Sequence, residues 1–306
     1  MNDKNHHYKN ITDMAPKVSV IIPTLNAEKE LASLFDELAA QDHNIDEIIV
    51  VDSASDDRTV EICKSNSRVN LIQIARNDFD HGGTRNMALR RSVGDIIVFL
   101  TQDAVPADHE FLDRLIAPLQ EEGVAVSTGR QLPKEDASIT ERLVRKFNYP
   151  EESCMKSEED IPRMGIKAFY CSDACAAYNR EIYLKLGGFP HPVKTNEDMF
   201  FAAKAIRSGY RIAYAADAVV SHSHNFTLKE QYRRNYIQGY EMEKHRELLG
   251  DVSQGSEGMR MVKYVSKELL KHGHVGSFMY FGLDCFARFS GNRNGKKAFV
   301  KETKHV

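Results

Sequence analysis

No apolar run in the 306-residue chain approaches the roughly 20 residues needed to cross a bilayer, so no membrane-spanning helix is expected. The first residues, Met1-Asn-Asp-Lys-Asn-His-His7, lack the apolar stretch of a secretory signal. An excess of charge of one sign is missing too. Lys and Arg number 41 against 44 Asp and Glu, a net charge of −3, which argues against a globally basic nucleic-acid binder. Cysteine is scarce and odd in number, five in all, which disfavours a disulfide framework and suits a reducing compartment. Cys171 and Cys175 stand four apart with no second pair to complete a zinc site. There is no internal repeat and no low-complexity tract. The 42% hydrophobic and 28% charged residues that remain read as a globular α/β protein of the cytoplasm.

The order of apolar segments carries more. Residues 1–16 are polar and read as a loose tail. Val18 to Ile22 is a continuous, largely β-branched run stopped by Pro23, as in a strand buried on both faces. Leu31, Leu34, Phe35 and Leu38 then recur at helical spacing. Strands are expected over 47–51, 69–74 and 95–100, with helices around 57–65 and near 85–92. Alternation of this kind predicts a doubly wound, mostly parallel sheet. Beyond residue 124 the pattern loosens. Strands are expected over 124–127, 168–171, 211–214 and 218–221, an acidic and mobile stretch over 151–160, and a helix over 195–208. From Phe226 onward the text is helical, with Leu228, Tyr232, Tyr236 and Tyr240 on one stripe.

In such sheets ligands collect beyond the carboxyl ends of the strands. Three polar clusters fall there: Thr24–Asn26, Asp52–Asp57 and Thr101–Asp103. Asp52 suits a ribose hydroxyl or a base N–H, or else a turn or helix cap. In His81-Gly-Gly-Thr-Arg-Asn86 the glycines allow close backbone approach and Thr84 can cap the following helix. Arg85 could hold a phosphate there, or lie solvated beside a tight turn. Asp103 is placed for a hard divalent cation, with a plain strand-end turn as the alternative. Thr195-Asn-Glu-Asp198 starts a helix, where acids offset the macrodipole or serve as a base for a hydroxyl. A base at that helix start is expected to stay ionised near neutral pH. His222 and His224, two apart at a strand end, could face one metal, although no zinc trio is visible. Gln231-Tyr-Arg-Arg234 offers cations for phosphate or plain surface charge.

Taken in order, Ser19-Val-Ile-Ile-Pro-Thr-Leu-Asn26, Ile48-Ile-Val-Val-Asp52-Ser-Ala-Ser-Asp56, Arg85-Asn86, Phe99-Leu-Thr-Gln-Asp103 and Asn196-Glu-Asp198 resemble the family 2 glycosyltransferases over residues 17–225. The segments 81–86 and 101–104 are similar to the bacterial rhamnosyltransferase branch. The resemblance implies a GT-A fold, a Rossmann-like sheet flanked by helices. Its nucleotide-binding half would run over about 17–105 and its acceptor half over 106–225, with a helical appendage over 226–306. It implies inverting transfer from a nucleotide-diphosphate sugar, best dTDP-L-rhamnose, to a glycan or lipid-linked oligosaccharide, assisted by Mg²⁺ or Mn²⁺, in surface polysaccharide (O-antigen) synthesis. Donor contacts would come from Pro23, Thr24, Asn26, Asp52, Ser53, Arg85, Asn86, Gln102 and Asp103, with Thr24, Asp52 and Arg85 on the nucleotide. Asp103 would hold the metal, joined by His222 or His224, and Asp198 would be the base supported by Glu197.

Two departures stand out. The first acid of the family's Asp-x-Asp pattern is Thr101 here, which leaves one carboxylate for the ion. Gln231-x-x-Arg234 is followed by Asn235 where processive relatives carry Trp, so a single-addition enzyme is expected. The rivals are a sugar nucleotidyltransferase, for which the Gly-rich Lys loop after the first strand is missing, and a non-catalytic sugar-nucleotide or scaffold protein. Finally, Phe278, Met279, Tyr280, Phe281, Phe286 and Phe289 precede Arg293, Lys296, Lys297, Lys301 and Lys304. This pairing suits peripheral contact with the inner face of the cell membrane, or aromatic packing of the C-terminal helices with a solvated basic tail.

Overall fold

The protein was analysed as a computed structural model describing residues 15–250, 252 and 255–304; residues 1–14 of the expected tail lie outside the described residues. Nine strands form one sheet: β1 Val18–Thr24, β2 Glu47–Asp52, β3 Val69–Gln73, β4 Ile96–Leu100, β5 Val105–Pro106, β6 Val124–Leu132, β7 Cys154–Lys156, β8 Cys175–Asn179 and β9 Arg211–Ser221. Their order is β3-β2-β1-β4-β8-β6-β9-β5, with β7 also on β9. The helices of the first half are α1 Leu31–Ala39, α2 Thr59–Ser65, α3 His81–Arg91, α4 Phe111–Ile116, α5 Ile139–Asn148 and α6 Ile161–Met164. Those of the second half are α7 Arg180–Lys185, α8 Glu197–Arg207, α9 Leu228–Lys244, α10 Arg246–Leu249, α11 Gly255–Lys271 and α12 Val275–Thr303.

The apolar runs explain the layering. β4 is buried along its whole length and β1 nearly so, because both are covered on two faces. One face packs Leu31, Leu34 and Leu38 of α1 and Phe111 and Leu115 of α4. The other packs Leu89 of α3, Phe200 and Phe201 of α8, and the rings of Tyr178, Tyr183 and Phe189. The four strands β3-β2-β1-β4 are parallel, and Thr24 lies in register with Asp52, which brings their polar ends to one edge.

Beyond β4 the pairing is mixed. β8 runs antiparallel to β4 and β6, while β6 and β9 are parallel to each other. Register then pairs Leu100 with Cys175, so the start of β8 meets the end of β4. The loop Ser172–Ala174 is thereby drawn to the same edge, where Thr101 N–H donates to Ala174 O.

Several expectations are corrected here. Residues 168–171 are not a strand; Gly165–Phe169 forms a 3₁₀ turn whose Ala168 and Phe169 are buried among the side chains of the α8 face. The strand of that region is the small-residue run Cys175–Asn179. The acidic stretch 151–160 contains β7, paired antiparallel to β9, and Glu158–Asp160 closed by a Ser157 capping box. The two strands expected over 211–221 are one, β9, with its register against β6 shifting after Gly129. α3 begins at His81, capped by the Asp80 carboxylate on Gly83 N–H, so Thr84 is not the cap. Gly82 fits because a Cβ there would fall 2.1 Å from Pro190 O.

The C-terminal helices are firmly attached. Gly291 and Gly295 of α12 face α9 backbone, where a Cβ would come within 2.4 Å of Tyr232 O and 1.9 Å of Tyr236 O. Val265, Leu269 and Phe281 bury against Val144 of α5. Of the α12 aromatics Phe281 alone is fully buried, while Met279, Leu283, Phe286 and Phe289 stand more than half exposed. Among the described residues no helix is long and apolar enough to cross a membrane.

Candidate active site

Two chambers of about 520 Å³ each open along the sheet edge. The first is bordered by Pro23, Thr24, Leu25, Ser53, Arg76 and Phe79, at the ends of the parallel strands. The second lies between α5, α8 and α9 and includes Asp173, Glu197 and Asp198. His81, Arg85, Thr101, Asp103 and His224 border both, so these five form the junction.

At that junction Asp103, His222 and His224 bring their ligand atoms within 4.8 Å of one another. Asp103 Oδ1 lies 3.4 Å from His222 Nε2, and Oδ2 lies 3.6 Å from His224 Nε2. Arg145 has only donors, so the Gln131 atom it meets is Oε1, and His222 Nδ1 at 2.8 Å must donate to that same oxygen. His222 Nε2 is then the ring nitrogen turned to Asp103. Burial, then the charge of His222, pushes the His224 pKa down to about 4, so its ring is neutral at pH 7. Burial works against ionisation of Asp103, but its hydrogen bond to His222 and the cations around it hold its pKa well below the carboxylate range. A carboxylate facing two imidazole nitrogens, one of them already oriented by a second-sphere amide, is a donor set that fits a divalent cation. Lys134 Nζ reaches Asp103 Oδ2 at 3.7 Å from the first chamber.

Deeper in the second chamber two carboxylates pair with one guanidinium and a third stands beside them. Arg85, 4% exposed, meets Asp173 Oδ2 at 3.2 Å and Glu197 Oε1 at 3.1 Å. Burial would raise Glu197, but Arg85 and then His81 outweigh it and hold the pKa at about 2. Asp198, half-buried at the start of α8, has no cation partner among the described residues. It accepts from Asp173 N–H at 3.1 Å and from Met199 N–H at 2.7 Å. Burial, then the charges of Glu197 and Asp173, pushes its pKa well above the ordinary carboxylate range. This reverses the expectation that the helix start would keep it low: two neighbouring anions and lost solvation outweigh the helix terminus.

Asp173 was missed by sequence reading. Burial raises its pKa against the pull of Arg85, and Tyr178 OH donates to it at 2.6 Å. Its signal in the sequence is the polar Ser172-Asp173 pair just before an antiparallel strand rather than after a parallel one.

Several of the expected donor residues also make internal contacts. Asp52 is fully buried and accepts from Ser55 N–H at 3.1 Å and Thr24 Oγ1 at 3.4 Å, the turn-acid alternative. Asn26 Oδ1 accepts from Asp56 N–H at 2.8 Å, tying the loop after β1 to the one after β2. Gln102 clamps both backbone groups of Leu25. Asn86 is buried, accepting from Tyr183 OH at 2.6 Å and Phe189 N–H at 3.0 Å while donating to Phe189 O. Arg85 pairs with Asp173 and Glu197 and borders both chambers. Thr24 and Ser53 do face the first chamber, and the hydroxyls of Ser53 and Thr101 are buried without a hydrogen-bond partner.

A family model for glycosyl transferase family 2 matches residues 19–187. The O-antigen chain rhamnosyltransferase RfbN of Salmonella typhimurium is 39% identical over 282 residues, 92% of this chain and 90% of that protein. WbaN of Salmonella anatum, described in the same words, is 37% identical over 92% and 90%. Among solved structures, the mannosyltransferase PcManGT from Pyrobaculum calidifontis, in complex with GDP-Man and Mn²⁺, superposes with a TM-score of 0.61 at 18% identity, covering 95% of this chain and 89% of that one. At that identity the likeness carries the GT-A fold alone.

Proposed function

The chain belongs to glycosyl transferase family 2 and is an inverting glycosyltransferase, and on that premise we propose that it moves L-rhamnose from dTDP-L-rhamnose to a hydroxyl of a glycan or lipid-linked acceptor in O-antigen synthesis. The observation that carries this reading is the meeting of two chambers at Asp103, His222 and His224, with Asp198 opening only onto the second. The donor lies in the first chamber, with Thr24, Ser53 and Pro23 beside the nucleotide. Asp52, Asn26 and Gln102 position that rim, and Asn86 positions the Phe189 loop.

The acceptor enters the second chamber. Its hydroxyl oxygen attacks the anomeric carbon as the bond from that carbon to the diphosphate oxygen breaks. Asp198 takes the hydroxyl proton, and a carboxylate whose pKa is raised toward the working pH is suited to do so. Glu197 and Asp173 hold Arg85, and Asp173 N–H fixes the angle of the Asp198 carboxylate. A divalent cation held by Asp103, His222 and His224 would offset the charge on the leaving diphosphate. Two imidazoles favour Mn²⁺ over Mg²⁺, since the harder ion prefers oxygen alone. The test is a donor panel with Mn²⁺: turnover of dTDP-L-rhamnose should exceed that of UDP-glucose, and the reverse order would sink the donor assignment.

Contact with the cytoplasmic face of the membrane belongs to the same proposal. Met279, Leu283, Phe286 and Phe289 are exposed on α12, with Arg293 and Lys297 further along the helix. An anionic bilayer matches apolar side chains followed by cations, whereas a second copy laid parallel would oppose like charges. Salt-sensitive cosedimentation with anionic liposomes is expected, and no binding at low ionic strength would leave that face unexplained.

A further inference from the structure

The second chamber also has a cluster of cations away from the donor chamber. Arg145 from α5, Arg234 from α9 and Arg288 from α12 all border the second chamber, and none borders the donor chamber. Arg145 pairs with Glu141 at 2.7 Å and Arg288 with Asp284 at 2.6 Å. Arg234 has no carboxylate partner among the described residues; its guanidinium lies 4.1 Å from the ring centre of Phe226. Three guanidinium groups against two carboxylates leave one excess positive charge in this cluster. Burial, then the charges of Arg288 and Arg145, lowers the Arg234 pKa, as expected of crowded cations that lack a counter-ion. From Arg288 a side cavity of about 420 Å³ continues to Ser277 and Tyr280 on α12.

We propose that Arg145, Arg234 and Arg288 form a second anion site, which binds a phosphate or diphosphate group carried by the acceptor. The proposal rests on the reading of the second chamber as the acceptor chamber. Guanidinium is the group best shaped for phosphate oxygens, and a stacked, unpaired one is already held in place for it. The site lies outside the donor chamber, so an acceptor phosphate and the donor diphosphate can be bound together. The shared chemistry comes from two sources, a lipid-linked diphosphate or a soluble sugar phosphate. The cavity running to α12 leaves room for the first.

The test is titration of the full chain, saturated with dTDP at fixed free Mg²⁺, with geranyl diphosphate, inorganic pyrophosphate and geraniol. Both diphosphates should bind, and geraniol should bind far more weakly. Tighter binding of geranyl diphosphate assigns a lipid-linked source, and equal binding a soluble one. Arg234→Gln and Arg288→Gln should each weaken diphosphate binding about tenfold, the scale of one charge-assisted hydrogen bond. Arg234→Lys should keep most of it, and dTDP affinity should stay within twofold throughout. Diphosphate binding that the variants do not change, or that dTDP displaces, overturns the proposal. Failure of dTDP itself to bind counts against the rhamnosyl donor and leaves the diphosphate titrations, run without it, to decide the anion site.

Discussion

The two halves of the sheet deliver polar groups to one edge in different ways. In the parallel half the residues after β1, β2 and β4 largely satisfy one another: Asp52 holds Ser55, Asn26 holds Asp56 N–H, and Gln102 holds Leu25. In the mixed half the residues before β8, after β9 and at the start of α8 stay turned to the cavity, with pKa values displaced by burial and neighbouring charge. One half is a frame whose acids stabilise loops. The other carries buried charge, the setting in which candidate reactive groups are expected.

The sharpest way to break this contrast is Asp198→Asn. Loss of a general base lowers kcat by about 10²–10⁴-fold, while dTDP affinity by titration should be unchanged. Near-normal turnover would remove Asp198 from the chemistry. The next effect belongs to the shell behind the metal ligands. Gln131→Ala frees His222 to rotate and should cost about 10–100-fold in Mn²⁺ affinity, measured by metal titration with the fold checked by circular dichroism.

The pH profile sharpens the same comparison. The Asp198 pKa is raised, so the group is protonated, and inactive as a base, below that value and active above it. The acid limb of kcat should therefore lie above the ordinary carboxylate value of about 3.9. Asp173→Asn removes a neighbouring negative charge and should move the limb to lower pH; an unmoved limb would separate Asp173 from Asp198. The smallest effect on catalysis is expected in the frame. Asn86→Ala leaves Tyr183 OH and Phe189 N–H without their acceptor and should cost about 1–3 kcal/mol of stability, read by denaturant unfolding, with less effect on KM than on the unfolding midpoint.

The frame was largely legible in the sequence. Continuous apolar runs such as Ile96–Leu100 can only be strands covered on both faces, and strand–helix alternation dictates their parallel order. The mixed half was harder to read because Cys175–Asn179 is short and rich in small residues, and because its direction depends on contacts distant in sequence. A rule about carboxyl ends finds Asp103 and the His222 pair but is blind to Asp173, which precedes an antiparallel strand. Within the frame, sequence identified the right turn but not which way its side chains point. Asp52 and Asn86 sit where expected and face inward, because neighbouring N–H groups left by the turns had to be satisfied.

In the proposed cation site two imidazoles, His222 and His224, join Asp103 where the family pattern would have an acid at Thr101. Pulsed electron paramagnetic resonance of Mn²⁺ bound to the protein with dTDP tests it most directly. Two imidazole nitrogen couplings are expected, falling to one in either His222→Gln or His224→Gln; a Mn²⁺ signal without nitrogen coupling would exclude ligation by both histidines.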